Sequence, residues 1–240
     1  MEESHMNSIA IIQTYYDDPN YLQQAITSWN SYDVPVSVIL IDDGSPQYPA
    51  SQVLSQFTIS NNVNFSLYEV TEDIGFNSHG CRNLGAEVSK SDWLIFLDID
   101  HFLDSDQLGK LYRMELSEDS WYGFTTIYNG QNLLMGGGPS NTFMCTKKMY
   151  EQGGGYDESY TPNHYGDREF LSMMKSKFNW IKLENIIIDC RRAGRKMIID
   201  TNIVKPIYDN DACSITHPPF KFDPAKFHDK RLNFKWVQLL

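Results

Sequence analysis

A short, wholly apolar run that ends in carboxylates limits most what this chain can become. Leu94, Ile95, Phe96 and Leu97 are followed at once by Asp98, Ile99 and Asp100. Four apolar residues bounded by polar ones read as a strand buried on both faces, as in a parallel sheet covered by helices. Open sheets of that kind gather ligands at the carboxyl ends of their strands. The aspartates therefore stand where a site is expected.

The same design recurs upstream. "SIAIIQTYY" (8–16) reads as a first buried strand, and in "PNYLQQAITSWNSY" the residues Leu22, Ala25, Ile26 and Trp29 fall at helical spacing. "VPVSVILIDDGSP" is a second strand closing on a turn with two carboxylates, "SQVLSQF" a short helix and "VNFSLYEV" a third strand. Asn77 or Ser78 can cap a helix reaching about Ser89, "DWLIFLDID" is the fourth strand, and Asp104 or Ser105 caps the helix after it. Strands alternating with helices from the start of a chain imply right-handed crossovers and a mainly parallel sheet. The fold class is α/β, with residues 7–110 as a nucleotide-binding half.

Residues 111–190 are less regular. They hold a strand at "WYGFTTIYNG", a glycine turn at Gly136–Gly138, a strand and short helix in "NTFMCTKKMYEQGGG", a helix at "YGDREFLSMMKSK" and strands at "IKLENIIID" and "KMIIDT". Residues 191–240, with prolines and aromatics but no clear period, are expected to form an irregular C-terminal extension. Residues 1–6, with Ser4, His5 and Met6, read as a cloning scar and carry no weight in the fold.

Charge and cysteine content narrow the function. The net charge of −11 divides unevenly, 7 basic against 24 acidic residues over 1–170 (−17) and 13 against 7 over 171–240 (+6). An acidic body disfavours broad nucleic-acid contact, which draws on phosphate neutralisation. "CRRAGRK" at 190–196 can meet an anion or simply form a solvated face. Cys81, Cys145, Cys190 and Cys213 form no CxxC pair, so buried free thiols are expected. No apolar run approaches the roughly 18 residues that span a bilayer, and no basic-then-apolar leader opens the sequence. The expectation is a cytoplasmic protein, with peripheral contact to a membrane left open.

In an extended segment, side chains two apart point the same way, about 6 to 7 Å apart. Asp98 and Asp100 would share a face and can hold a hard divalent cation, Mg2+ or Mn2+, with positions left for phosphate oxygens. A lone DxD is weak evidence, since aspartates often form turns and caps. Its company strengthens it: Asp42 and Asp43 end a strand, Arg82 and Asn83 lie on a helix, and Asp167 and Glu169 open a later one.

Taken in order, "IAIIQTYYDD", "VILIDDGS", "GFNSHGCRNLGA", "WLIFLDID", "GGGYDESY" and "YGDREF" resemble the family 2 glycosyltransferases of GT-A fold, over roughly residues 8 to 180. The resemblance implies a Rossmann-like sheet, a nucleotide-sugar donor, a divalent metal and an inverting transfer, with residues 111–190 as the acceptor and catalytic half. It implies that Thr14 and Tyr15 meet the nucleotide, Tyr15 by stacking on the base, and that Asp43 accepts from the base. Arg82 would lie near the nucleotide, Asp98 near ribose or metal, and Asp100 on the metal. Asp167 is the implied catalytic base.

Plain alternatives stand beside these roles. One of Asp42 and Asp43 serves only the turn before Gly44, and Arg82 can be a surface residue. Gly166 stands where the family usually has an acid, so Glu169 or Asp157 competes with Asp167, which can also be only a helix cap. Gln13 and Tyr16 depart from the residues usual around Tyr15. A late histidine ligates metal in some enzymes of this fold, which makes His217 in "SITHPPF" a candidate metal ligand; His101 and His164 lie in site loops as well. UDP-sugars are the first donor expectation. The acceptor is open among glycan, lipid-linked sugar, protein, small metabolite and modified nucleic-acid base. A nucleotidyltransferase is the runner-up, although "QTYYDDPNY" lacks the phosphate loop it needs, and a catalytically silent sugar or nucleotide module is the third reading.

Overall fold

The computed structural model describes residues 8–128, 130, 141–161, 166–191 and 232–240. Their elements are β1 (Ile9–Tyr15), α1 (Pro19–Asn30), β2 (Val36–Asp42), α2 (Ala50–Leu54), β3 (Val63–Val70), α3 (Ser78–Val88) and β4 (Trp93–Asp98). After these come β5 (His101–Phe102), α4 (Ser105–Arg113), β6 (Ser120–Tyr128), β7 (Phe143–Thr146), α5 (Lys147–Gly153), a 3-10 turn at Glu158–Tyr160, α6 (Gly166–Lys177), β8 (Asn179–Cys190) and β9 (Trp236–Gln238). His164, His217, Gly136–Gly138 and the strand expected at "KMIIDT" lie outside the described residues.

One sheet holds all nine strands in the order β5-β8-β6-β7-β4-β1-β2-β3-β9. Its centre is parallel, β4, β1, β2 and β3 lying side by side as expected for buried runs joined by helical crossovers. Beyond β4 the sheet turns mixed, with β7 antiparallel to β4 and β6 parallel to β8. The strand order reverses between β1 and β4, beside the strand that carries the aspartates, the place where such sheets take ligands.

Alternate residues of β4 feed opposite cores. Trp93, Ile95 and Leu97 join Trp29, Leu22 and Tyr122 on one face. Leu94 and Phe96 join Phe143, Tyr150, Phe170 and Met174 on the other. This two-sided burial is why the run is continuous rather than alternating. Asp18 caps α1 by accepting from Tyr21 N at 3.2 Å, and Asp104 caps α4 by accepting from Gln107 N at 2.8 Å. Gly154 ends α5 at φ 98°, a left-handed position open to glycine. Cys81, Cys145 and Cys190 are buried.

The C-terminal extension is not irregular to its end. Its last residues return as β9, antiparallel to β3, with Val70 opposite Trp236 and Tyr68 opposite Gln238. No helix among the described residues is long and apolar enough to cross a membrane.

Candidate functional site

The carboxyl ends of β1, β2 and β4 form one rim, and the first turns of α3 lie against it. Thr14 is opposite Asp98 in the β1/β4 register, and Tyr15 is opposite Asp42 in β1/β2. Asn77, just before α3, donates its backbone N–H to Asp43 Oδ2 at 2.8 Å. Ser78 Oγ lies 3.5 Å from Thr14 Oγ1, and one turn on Arg82 reaches Asp98. A single helix start thus touches all three strand ends.

The two acids after β2 have different work. Asp42 is fully buried, and its carboxylate accepts from Ser45 N at 2.9 Å and Ala50 N at 2.7 Å. It shapes the turn and caps α2 across the loop. Asp43 has Oδ1 buried beside the Cys81 thiol. Burial pushes its carboxyl up to about 7 against the pull of the Asn77 N–H and Cys81, with Asp42 and Asp73 adding to the rise. Gly44, at φ +76°, passes so near Asp73 that an added Cβ would stand 3.2 Å from its backbone. The turn therefore needs glycine.

Tyr15 requires a correction. Its ring is 1% exposed and its hydroxyl donates to the Tyr48 carbonyl at 2.6 Å, so it packs in the core and offers no open face for stacking. The exposed ring at this rim belongs to Tyr16, at 46%, whose hydroxyl donates to Asp73 Oδ2 at 2.9 Å.

The turn after β4 is fixed by a residue that departs from the family pattern. Gln13 is 1% exposed, and its Nε2 donates to the carbonyls of Asp98 at 3.1 Å and His101 at 3.5 Å. Its Oε1 accepts from Trp29 Nε1 at 2.8 Å, so the amide is anchored while it clamps the turn. Asp98 Oδ2 accepts from Asn141 Nδ2. Ligand atoms of Asp98, Asp100 and His101 lie within 4.8 Å of one another. Two carboxylates and an imidazole form a donor set that suits a divalent cation. His217, the third metal residue expected from the sequence, lies outside the described residues.

Arg82 joins the rim to α6. Its Nη2 donates to Asp98 Oδ1 at 2.6 Å and its Nη1 to Asp167 Oδ1 at 3.2 Å, with the guanidinium 5.2 Å from the Tyr156 ring centre. At 2% exposure it is no surface residue. The competing acids are placed elsewhere: Asp157 caps the 3-10 turn by accepting from Ser159 N at 2.8 Å, and Glu169 is buried toward Tyr160, burial raising its carboxyl. Gly166 also finds its reason here. A Cβ on it would stand 2.7 Å from His79 Nε2, and His79 is fully buried between Phe76 and Tyr156. The histidine fills the space an acidic side chain would need.

The structure thus brings Thr14, Asp43, Arg82, Asp98 and Asp167 around one helix start, with Asp100 beside Asp98 and His101. Sequence reasoning missed Asn141 and Thr142, which precede β7, and Gln13 entered only as a departure. A buried amide in an apolar strand was the one signal that could have marked Gln13.

Comparison with known proteins follows the same lines. Residues 8–119 match the model of the glycosyltransferase-like family 2. A curated relative, an uncharacterized glycosyltransferase of Haemophilus influenzae, is 32% identical over 107 residues, covering 44% of this chain and 41% of the relative. S. aureus TarS 1–349 superposes with a TM-score of 0.64 at 14% identity, over 77% of this chain and 60% of that one. Its complex with UDP-GlcNAc gives 0.63 at 13%, over 79% and 60%. The mannosyltransferase PcManGT from Pyrobaculum calidifontis, in complex with GDP-Man and Mn2+, gives 0.60 at 13%, over 80% and 59%. The chain spans about two fifths of the curated relative's length. At such identities the structural likeness speaks for the fold, which is that of the GT-A glycosyltransferases.

Proposed function

We propose that this chain, family 2 glycosyltransferase-like in sequence over residues 8–119 and GT-A in fold, transfers a sugar from a nucleotide-diphosphate sugar to an acceptor hydroxyl with inversion. The observation that carries the proposal is the reach of the α3 start, which contacts Asp43, Thr14, Asp98 and Asp167 through Asn77, Ser78 and Arg82. Base recognition, diphosphate and acceptor activation need three chemistries at one rim, and this helix start joins them.

Asp43 is the base-recognition residue. Its Oδ2 already accepts from Asn77 N and its Oδ1 is buried beside Cys81, so a base N–H reaches this carboxylate only if the loop around it shifts. Uridine is the first nucleoside to test, since TarS is seen in complex with UDP-GlcNAc, and the GDP-Man complex of PcManGT makes a GDP-sugar the comparison to run. The open Tyr16 ring is placed to stack on the base, and Thr14 lies on the donor path between Asp43 and Asp98.

Asp98 and Asp100 would hold Mn2+ or Mg2+. Bound there, the cation supplies Lewis-acid neutralisation of the departing diphosphate. Arg82 holds Asp98 and Asp167 in fixed relation. Asp167, at the start of α6, takes the proton from the acceptor hydroxyl as that oxygen attacks the anomeric carbon from the face opposite the leaving group.

The test is turnover of UDP- and GDP-sugars with Mn2+, read as hydrolysis or transfer. Asp100→Ala and Asp167→Asn are each expected to lower turnover at least about 100-fold with the circular dichroism spectrum retained. Full activity in both variants removes the mechanism, and nucleotide binding without any turnover in the unmodified chain favours a silent binding module.

A further inference from the structure

The turn after β4 carries a donor that the acidic pair does not account for. His101 follows Asp100 directly, opens β5 and is 1% exposed. Its main chain is held on two sides, by Gln13 Nε2 on its carbonyl at 3.5 Å and by pairing with Cys190 on β8. Its Nδ1 lies 2.5 Å from Thr142 Oγ1, and Thr142 is itself 5% exposed. Its Nε2 lies 3.6 Å from Asp100 Oδ1.

We propose that His101 is the nitrogen donor of the cation site, set in its tautomer by Thr142, and that it biases the site toward Mn2+ over Mg2+. The inference rests on the glycosyltransferase reading for the use of the cation, not for the cation's ligands. A ligating imidazole carries its proton on the nitrogen away from the metal, and that N–H needs an acceptor to fix the ring. Thr142 Oγ1 stands there and accepts from Nδ1–H. The Nε2 lone pair is then turned toward the carboxylates.

The spacing also accommodates an ion between the two groups. At 3.6 Å the Nε2 to Asp100 distance exceeds a hydrogen bond. Two donors each about 2.1 Å from one ion, at angles of about 90 to 120°, are about 3.0 to 3.6 Å apart. The pair is spaced as two ligands of a shared cation, and Asp98 completes the group within 4.8 Å. Oxygen-only sites suit Mg2+ well, whereas an imidazole favours the transition ion.

Pulsed electron paramagnetic resonance of the full chain loaded with Mn2+ tests this without any substitution. Modulation from a directly bound imidazole nitrogen is expected, and Mn2+ bound without it, or no Mn2+ binding at millimolar concentration, overturns the proposal. In competitive titrations His101→Gln should weaken Mn2+ about tenfold or more and Mg2+ less than about threefold. Thr142→Val, which keeps the ring but removes the acceptor, should weaken Mn2+ about tenfold. Equal loss of both ions in His101→Gln shows that the residue only shapes the turn and also overturns the proposal. Sugar transfer that needs Asp100 but proceeds without nitrogen modulation removes His101 and leaves the glycosyltransferase. Nitrogen modulation with transfer indifferent to any cation keeps the donor and removes metal-assisted transfer.

Discussion

At Asp43 a single side chain gives two opposite pH dependences. Burial lifts its carboxyl to about 7, whereas in the unfolded chain it titrates near the usual carboxylate value of about 4. Between those values the folded chain holds a proton that the unfolded chain has released, so Asp43 contributes stability at low pH that is lost as pH rises through about 7. Donor binding runs the other way, because the ionised form is the stronger acceptor for a base N–H. The affinity for a UDP-sugar, whose diphosphate diester does not titrate in this range, should rise by up to about tenfold per pH unit below 7 and level off above it. Calorimetry from pH 6 to 8 measures this, and Asp43→Asn should flatten the curve. A flat curve in the unmodified chain would mean that the base does not use this carboxylate.

Among the elements, β9 and its lead-in matter beyond their length. Glu158 accepts from Leu232 N at 2.9 Å and Asn233 N at 3.3 Å, and its Oε1 also takes Asn83 Nδ2 at 2.8 Å. Phe234 packs so closely on α3 that a Cβ at Gly80 would meet it at 2.5 Å. The segment then covers the β3 edge, Thr71 N donating to Lys235 O at 2.9 Å and Leu239 N to Leu67 O at 2.9 Å. Removing residues 232–240 forfeits these hydrogen bonds together with the packing of Phe234 on α3, and should lower the unfolding midpoint. It also bares an edge strand, so light scattering should show association of the shortened chain. A monomer of unchanged midpoint would show the strand to be ornamental. The central elements were legible in the sequence because local signals define them: β3 falls on "VNFSLYEV" and α4 follows its Asp104 cap. Strands β5 and β9, two and three residues long, are defined only by distant partners and leave no period to read. The site divided in the same way. Asp98 and Arg82 sat in motifs, while Thr142 and Asn141 act through folding that brings β7 beside β4. Tyr15 was misread because a motif position does not report whether its ring is covered.

For the molecule as a whole, the sheet makes one unit of two sequence halves. Residues of β4 enter both cores, α6 packs into the second through Phe170, Met173 and Met174, and β7 from the later half pairs with β4 from the earlier one. Neither face can lose its packing while the other keeps its own, so a single cooperative transition is expected. Arg82 is the polar counterpart of this union, since it binds Asp98 of the first half and Asp167 of the second. Arg82→Met removes the cation and leaves two carboxylates facing each other with side chains 21% exposed. Because water reaches those carboxylates, the cost should fall at or below the low end for a broken buried pair, about 2 to 3 kcal/mol. Urea unfolding followed by tryptophan fluorescence, to which buried Trp29 and Trp121 report from opposite faces, and by far-ultraviolet circular dichroism should give coincident midpoints. In Arg82→Met both should move down together with the slope unchanged. Separation of the two curves in the variant would mean that the ion pair, rather than the shared sheet, holds the halves in one cooperative unit.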